Sequence, residues 1–86
     1  RILNDWLKQT VNSHPIPMES GKVVKLKYLT QIKTRPPTFV LFCNNPINLK
    51  ESYKRYLINQ LRDSFDLSGV PIRLNLKKGE NPYKGR

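Results

Sequence analysis

The sequence predicts a small α+β domain whose elements follow the order helix, strand, strand, helix, strand. Two stretches repeat apolar residues at helical spacing, and three others alternate or run continuously apolar, as strands do. A chain of 86 residues holds one such domain. A tight turn joins antiparallel neighbours and a crossover helix joins parallel ones. We therefore expect a three-stranded mixed sheet with both helices on one face.

The first helix begins with the chain, and its apolar residues between positions 2 and 11 share one helical face. Pro15 and Pro17 cannot continue a helix, so we expect it to end near residues 12–14. No capping side chain precedes Ile2, which favours a segment from within a longer protein. Residues 22–34 then alternate as a half-buried strand does, with a basic outer side. The side chains expected on the inner side are Val24, Leu26, Tyr28, Thr30 and Ile32.

The central strand is predicted at residues 38–43, which follow a Pro-Pro turn and are almost entirely apolar. Because two helices cover only one face of a sheet, one of its two alternate sets of side chains must lie on an open face. The two sets are Phe39, Leu41 and Cys43 on one side and Val40 and Phe42 on the other. The cations expected to frame the open face are Lys25, Lys27, Arg73 and Lys77. An apolar strip among cations is a docking surface for a protein domain or for RNA.

The second helix is expected to start near Asn48 and Glu51, which are spaced as in a capping box. Its apolar repeat predicts about 16 to 18 residues, ending at the Ser68-Gly69 pair. Ile58 is apolar on the charged outer side of this helix, so it either meets the first helix or contacts a partner. Residues 72–77 alternate again and predict the last strand.

Net charge is the strongest indication of function. Sixteen Lys and Arg residues against six Asp and Glu give a formal charge of +10. Such an excess favours polyanions, above all nucleic acid, and an anionic membrane surface is the weaker alternative. A DNA-binding regulator fits the charge, but no helix has a recognition-helix pattern that favours it. We expect the domain to comprise residues 1–78 and residues 79–86 to form a flexible basic tail.

Residues that carry enzyme chemistry are sparse. The single Cys43 and the single His14 exclude a disulfide framework and a Cys/His zinc site, and we expect a buried thiol and a surface histidine. The glycines match no phosphate-binding loop and the carboxylates form no acid/base pair, so we expect neither catalysis nor a cofactor or metal in this chain. Tyr53 and Tyr56 either pack in the core or stack on bases, and their spacing favours packing. No apolar run approaches the ~20 residues that span a bilayer, and a reducing cytosol suits the composition.

Seven stretches, taken in order, resemble one known family. They are LNDWL (residues 3–7), HPIP (14–17), KLKYLTQ (25–31), PPTFVLF (36–42), SYKRYLINQLRDSF (52–65), GVPIRL (69–74) and GENPY (79–83). Together they are similar to the C-terminal domain of the Der (EngA) family of bacterial ribosome-assembly GTPases, which carry two GTP-binding domains in tandem before this module. The resemblance covers nearly the whole chain, and its specific motifs are PPTFVLF, SYKRYL and the G-x-P-I-R start of the last strand.

The resemblance implies a KH-like fold with the same element order. It also implies a cytoplasmic parent that binds GTP and Mg²⁺ in its other domains and helps the large ribosomal subunit, 50S, to mature. Ordinary KH domains hold RNA backbone on a GxxG loop. Residues 44–50, where that loop would lie, contain no glycine, so the ordinary RNA-binding mode does not transfer to this chain.

Two uses of the open face follow from the charge and the resemblance. In the first, cations contact rRNA phosphates of the immature large subunit. In the second, the apolar strip docks on the GTP-binding domains of the same polypeptide, and the domain regulates them without binding RNA directly. The two uses are compatible, since one surface can serve both partners in turn. The candidate RNA-binding residues are Lys25, Lys27, Lys33, Arg35, Arg73, Lys77 and Lys78. The candidate docking residues are Val40, Phe42 and Ile58.

Overall fold

The computed structural model describes residues 1–18 and 21–80. Within this part of the chain, helices and strands follow the predicted order. The elements are α1 (Ile2–Ser13), β1 (Leu26–Lys33), β2 (Thr38–Cys43), a 3₁₀ turn (Pro46–Asn48), α2 (Glu51–Ser64) and β3 (Arg73–Lys78). α1 ends just before Pro15, as the sequence predicts, because a proline inside a helix removes a hydrogen bond and clashes with the preceding turn.

β2 is the central strand of a three-stranded sheet. It pairs antiparallel with β1 and parallel with β3. The antiparallel pair is joined by the proline-containing turn, and the parallel pair is connected through α2, which crosses over the sheet. The predicted α+β class and the predicted strand arrangement are both confirmed.

Both helices pack on one face of the sheet. Phe39, Leu41 and Cys43 of β2 belong to a buried cluster that also contains Leu7 of α1 and Leu57 of α2. Burying an apolar side chain of the size of leucine stabilises a fold by about 1.5–3 kcal/mol, so this cluster is the main source of stability. Since side chains alternate along a strand, the other residues of β2 point away from the helices.

Polar and aromatic contacts fix how the two helices lie against each other. The indole N–H of Trp6 donates to Ser64 Oγ at 3.0 Å, and the Trp6 ring meets Phe65 edge-on with centroids 6.0 Å apart. At the other end of α1, the Tyr53 hydroxyl donates to the carbonyl oxygen of His14 at 2.6 Å. These contacts pair the start of α1 with the end of α2 and bring the opposite ends together as well.

β1 does not keep the strict alternation that its sequence predicts. Its register against β2 shifts between Leu26 and Tyr28, so Lys27 is an extra residue in a bulge. One inserted residue moves the side chains that follow it to the other face. Leu29 is consequently buried in the core, with 2% of its surface exposed. The residues wrongly predicted on the inner side are Tyr28, Thr30 and Ile32. The strand also begins at Leu26 rather than at residue 22.

α2 is shorter at both ends than predicted. Asn48 belongs to the 3₁₀ turn, and the helix begins at Glu51 without a side-chain cap, so the capping box does not form. Its C-terminal end is four residues before Ser68, at Ser64. Asp66 adopts a left-handed φ of 54°, and this conformation terminates the helix. β3 is displaced by one residue from its predicted bounds.

The predicted basic tail is described only at its first two residues, and residues 81–86 lie outside the described part of the chain. The division after residue 78 stays a prediction. Within residues 1–18 and 21–80, neither helix has the length and apolar character needed to cross a membrane.

Candidate nucleic-acid interface

The face of the sheet that points away from the helices is built from three rows of side chains, and we call it the open face. The register of the two strand pairs places one residue of each strand in every row. The rows are Lys33–Thr38–Arg73, Thr30–Val40–Asn75 and Tyr28–Phe42–Lys77. With a rise of about 3.3 Å per residue, the first and third rows lie about 13 Å apart along β2.

Three of the seven candidate cations stand in these rows. Arg73 and Lys77 flank β2 from the first and third rows and are exposed, as predicted for β3. Leu74 between them is buried, which confirms the alternation of this strand. Lys33 reaches the first row because a second register shift near the end of β1 brings it opposite Thr38. No acidic residue occupies any of the three rows.

The other four candidate cations lie outside the open-face rows. They are Lys25, Lys27, Arg35 and Lys78. Lys27 occupies the bulge, and its Nζ lies 3.4 Å from Glu80 Oε2. Lys78 is in register with the last core residue of β2, and Arg35 lies in the turn between β1 and β2. Neither Lys25 nor Lys27 is in register with a residue of β2, because β1 starts after Lys25 and Lys27 occupies the bulge. That these two lysines frame the open face stays a prediction.

The central strand contributes two apolar side chains to the open face, and neither is largely exposed to solvent. Val40 is 8% exposed, whereas Phe42 is half-buried. The Phe42 ring lies beside that of Tyr28, with centroids 6.4 Å apart and planes inclined by 38°. Ile58 is half-buried against the core cluster, so contacts within the domain already account for it. The docking role of Val40, Phe42 and Ile58 stays a prediction.

Tyr28 and Thr30 are the two open-face residues for which the sequence predicts the opposite side of the sheet. Their positions in a regular alternating run predict the core side, and nothing in the run itself marks Lys27 as a bulge. The structure pairs Tyr28 with Phe42 across the strands. Two aromatic side chains on neighbouring strands form a cross-strand pair worth about 0.2–1 kcal/mol.

The loop between β2 and α2 is held by asparagine side chains instead of being built from glycines. Asn44 Oδ1 accepts from the Lys25 N–H at 2.7 Å, and its Nδ2 donates to the Val23 carbonyl at 2.9 Å. Asn45 Nδ2 donates to the same carbonyl at 3.0 Å. Beyond these anchors Ile47 is 96% exposed on the 3₁₀ turn. The phosphate-binding geometry of a GxxG loop is thus replaced by a turn tied to the start of β1.

The aromatic residues of α2 pack on the helix side of the domain. The His14 ring centroid lies 4.5 Å from that of Tyr56 and 5.8 Å from that of Tyr53. Burial, reinforced by the neighbouring Tyr56, raises the pKa of Tyr53 to about 12. The predicted packing of both tyrosines is confirmed, since Tyr53 belongs to the core cluster and Tyr56 is partly buried against it. His14 is exposed at the end of α1, as predicted.

Cys43 is a buried thiol, as predicted, and has no exposed surface. Burial raises its pKa, and a hydrogen bond from the backbone of Asn45 offsets part of this effect. A thiol held protonated inside a core is unreactive. Among the residues that the structure describes, no three His, Cys, Asp or Glu side chains lie close enough to hold a metal ion.

These features define the class of the domain. A three-stranded mixed sheet with β2 in the centre, two helices on one face, and helix–strand–strand–helix–strand order is an α+β fold of the KH-like type. Its open face is lined by cations and by an aromatic pair.

The chain belongs to the family of KH-domain-like C-terminal domains of EngA bacterial GTPase enzymes, which matches residues 1–77. It is 56% identical over 82 residues to the GTPase Der of Rickettsia bellii (strain OSU 85-389) and 55% identical to that of Rickettsia prowazekii. It is 54% identical over 83 residues to the GTPase Der of Bartonella bacilliformis. These matches cover 94–96% of this chain but only 18% of each relative. The family resemblance predicted from the sequence is confirmed.

Proposed function

We propose that this domain contacts ribosomal RNA of the large subunit and thereby helps a bacterial ribosome-assembly GTPase to act on the maturing 50S particle. The observation that carries the proposal is the open face, where Lys33 and Arg73 flank β2 in the first row and Lys77 stands beside it in the third, with no carboxylate in any row. Phosphate groups release counterions when they meet such cations, which supplies affinity without sequence readout.

The position of the cations suits a chain of phosphates better than a single anion. Arg73 and Lys77 lie on one edge of the open face, about 13 Å apart along β3. Lys33 stands across β2 from Arg73. Cations spread over this distance match an extended polyanion, whereas a small anion needs donors that converge on one point.

The proposed role of this domain does not include GTP binding or hydrolysis. In the relatives named GTPase Der, this chain corresponds to 18% of the length. We infer that GTP and Mg²⁺ belong to the remaining domains of a cytoplasmic parent, and that the present domain supplies contacts instead of catalysis.

The salt dependence of RNA binding tests the proposal. A double variant, Arg73→Ala with Lys77→Ala, should bind a large-subunit rRNA fragment more weakly than the unmodified chain. The slope of log K against log salt, measured between about 50 and 150 mM, should fall by about 1.4 if two phosphate contacts are lost. The matched control, Lys8→Ala with Arg55→Ala, removes two exposed cations from the helices. Equal affinity loss in both variants, or an affinity that does not change with salt, contradicts the proposal.

Docking on the GTP-binding domains of the same polypeptide is a second candidate function. The observation that favours it is the half-buried, apolar Phe42, which lies on the central strand next to the row of the buried Val40. Phe42→Asp in the full-length parent should alter GTP turnover and domain packing, whereas Val40→Asp is a poor test because Val40 is already buried and the variant would unfold. Unchanged turnover in a folded Phe42→Asp parent argues against docking through this face.

A further inference from the structure

The third row of the open face combines aromatic and cationic side chains. Tyr28, Phe42 and Lys77 stand side by side on the three strands, and the two rings are 6.4 Å apart at the centroids. Neither ring belongs to the core cluster or to the residues packed against it. Tyr28 and Phe42 are each half-buried, so part of each residue is accessible to solvent.

The surroundings of this row are polar and positively charged. Thr30 and Asn75 flank Val40 in the second row, and Arg73 closes the first. Hydroxyl and amide groups at this position can donate to and accept from base edges. Lys77 is the charged member of the third row. The carboxylate nearest to it in sequence, that of Glu80, lies 3.4 Å from Lys27 Nζ.

We propose that the open face binds a short unpaired segment of RNA, with a base stacked against Phe42 and Tyr28 and the adjoining phosphates on Lys77 and Arg73. This inference rests on the proposed RNA contact and adds the form of RNA that is bound. Aromatic side chains on a sheet face stack unpaired bases, and every base has a π-face, so the contact tolerates sequence variation. In a duplex the base faces are buried within the helical stack, so the open face can contact only its phosphates.

Charge complementarity selects RNA over a protein as the occupant. A protein partner has to bury Arg73 and Lys77 against its own surface, where unpaired charges are costly unless acidic residues meet them. A phosphate chain neutralises both cations while its bases cover the rings. The spacing of about 13 Å between the first and third rows accommodates a stretch of two or three bases.

Fluorescence anisotropy with labelled oligonucleotides tests the inference. The probes are an eight-nucleotide oligoadenylate and an eight-base-pair RNA duplex, each at about 50 and 150 mM salt. Phe42→Leu keeps an apolar side chain but removes the ring, and should weaken oligoadenylate binding by about 5- to 100-fold. The same variant should leave duplex binding and the salt slope unchanged. Phe42→Tyr restores a ring and should recover most of the affinity.

The control variant is Phe65→Leu, which removes a partly exposed ring from the helix side, far from the open face. It should bind oligoadenylate like the unmodified chain, and circular dichroism confirms that each variant is folded. If Phe42→Leu binds oligoadenylate normally while the salt dependence persists, the stacking inference is wrong and the phosphate contact still stands. If neither probe binds at about 50 mM salt, the proposed RNA contact itself fails.

Discussion

Replacing Asn4 should destabilise the domain, because this side chain joins α1 to the outer edge of β1. Its Oδ1 accepts from the Leu29 N–H at 2.8 Å, and its Nδ2 donates to the Leu29 carbonyl at 2.9 Å. The Asn4 side chain thus satisfies the two backbone groups of Leu29 that would pair with a further strand if β1 were not at the edge of the sheet. Asn4→Ala leaves both backbone groups without these partners at a residue that is only 2% exposed. Two hydrogen bonds at about 1 kcal/mol each predict a loss of about 2 kcal/mol.

Alanine also raises helix propensity, and the comparison must remove that gain. Asn12, exposed on the same helix, supplies the control, because Asn12→Ala gains the same propensity of about 0.5 kcal/mol. The difference between the two variants in the free energy of unfolding, measured by urea titration at pH 7, should be about 2 kcal/mol. The Leu29 amide should also exchange its hydrogen faster in Asn4→Ala. A difference below about 0.5 kcal/mol would refute the reasoning, since it would mean that water replaces the asparagine at little cost.

Three further outcomes follow from buried groups. Because the pKa of Tyr53 is raised to about 12, ionisation is opposed in the folded state, so its stabilising contribution is complete below pH 10 and disappears as the pH rises towards 12. Urea unfolding between pH 9 and 12 should therefore show a steeper loss of stability than in Tyr53→Phe, and equal slopes contradict this. Cys43 should react with iodoacetamide at least about 100-fold more slowly in the native protein than in urea, because its thiol is buried and its pKa raised; rapid native labelling contradicts the burial. Leu61→Ala should cost about 2–5 kcal/mol in urea titration because Leu61 has no exposed surface, and a loss below about 1 kcal/mol contradicts its place in the core.

The strand order is predictable from the sequence because it depends on connectivity. The proline turn before Thr38 is too short for a crossover, and α2 is long enough to require one. The faces that the β3 side chains occupy are predictable for a different reason, since apolar and polar residues alternate around Leu74 without interruption. In these places local pattern and global fold agree.

The face of the sheet that each β1 side chain occupies is not predictable from the residues of the strand. Lys27 reads as an ordinary outer lysine, and only its pairing against β2 reveals the extra residue. The same bulge places Tyr28 in the third row of the open face and leaves Lys27 outside the paired rows. The end of α2 is equally hidden, because Asp66 rather than a glycine takes the left-handed conformation. The sequence therefore predicts the seven candidate cations as one group, whereas the sheet places three of them in the open-face rows.

An NMR amide-shift titration of the chain with a large-subunit rRNA fragment, at about 50 and then 150 mM salt, tests most directly whether the open face is an RNA-binding surface. We expect shifts in the three rows, strongest around Tyr28, Phe42 and Lys77, and we expect them to fade as salt is raised. Shifts confined to the helices or to the 3₁₀ turn, or a folded protein whose spectrum does not change at either salt concentration, would contradict it.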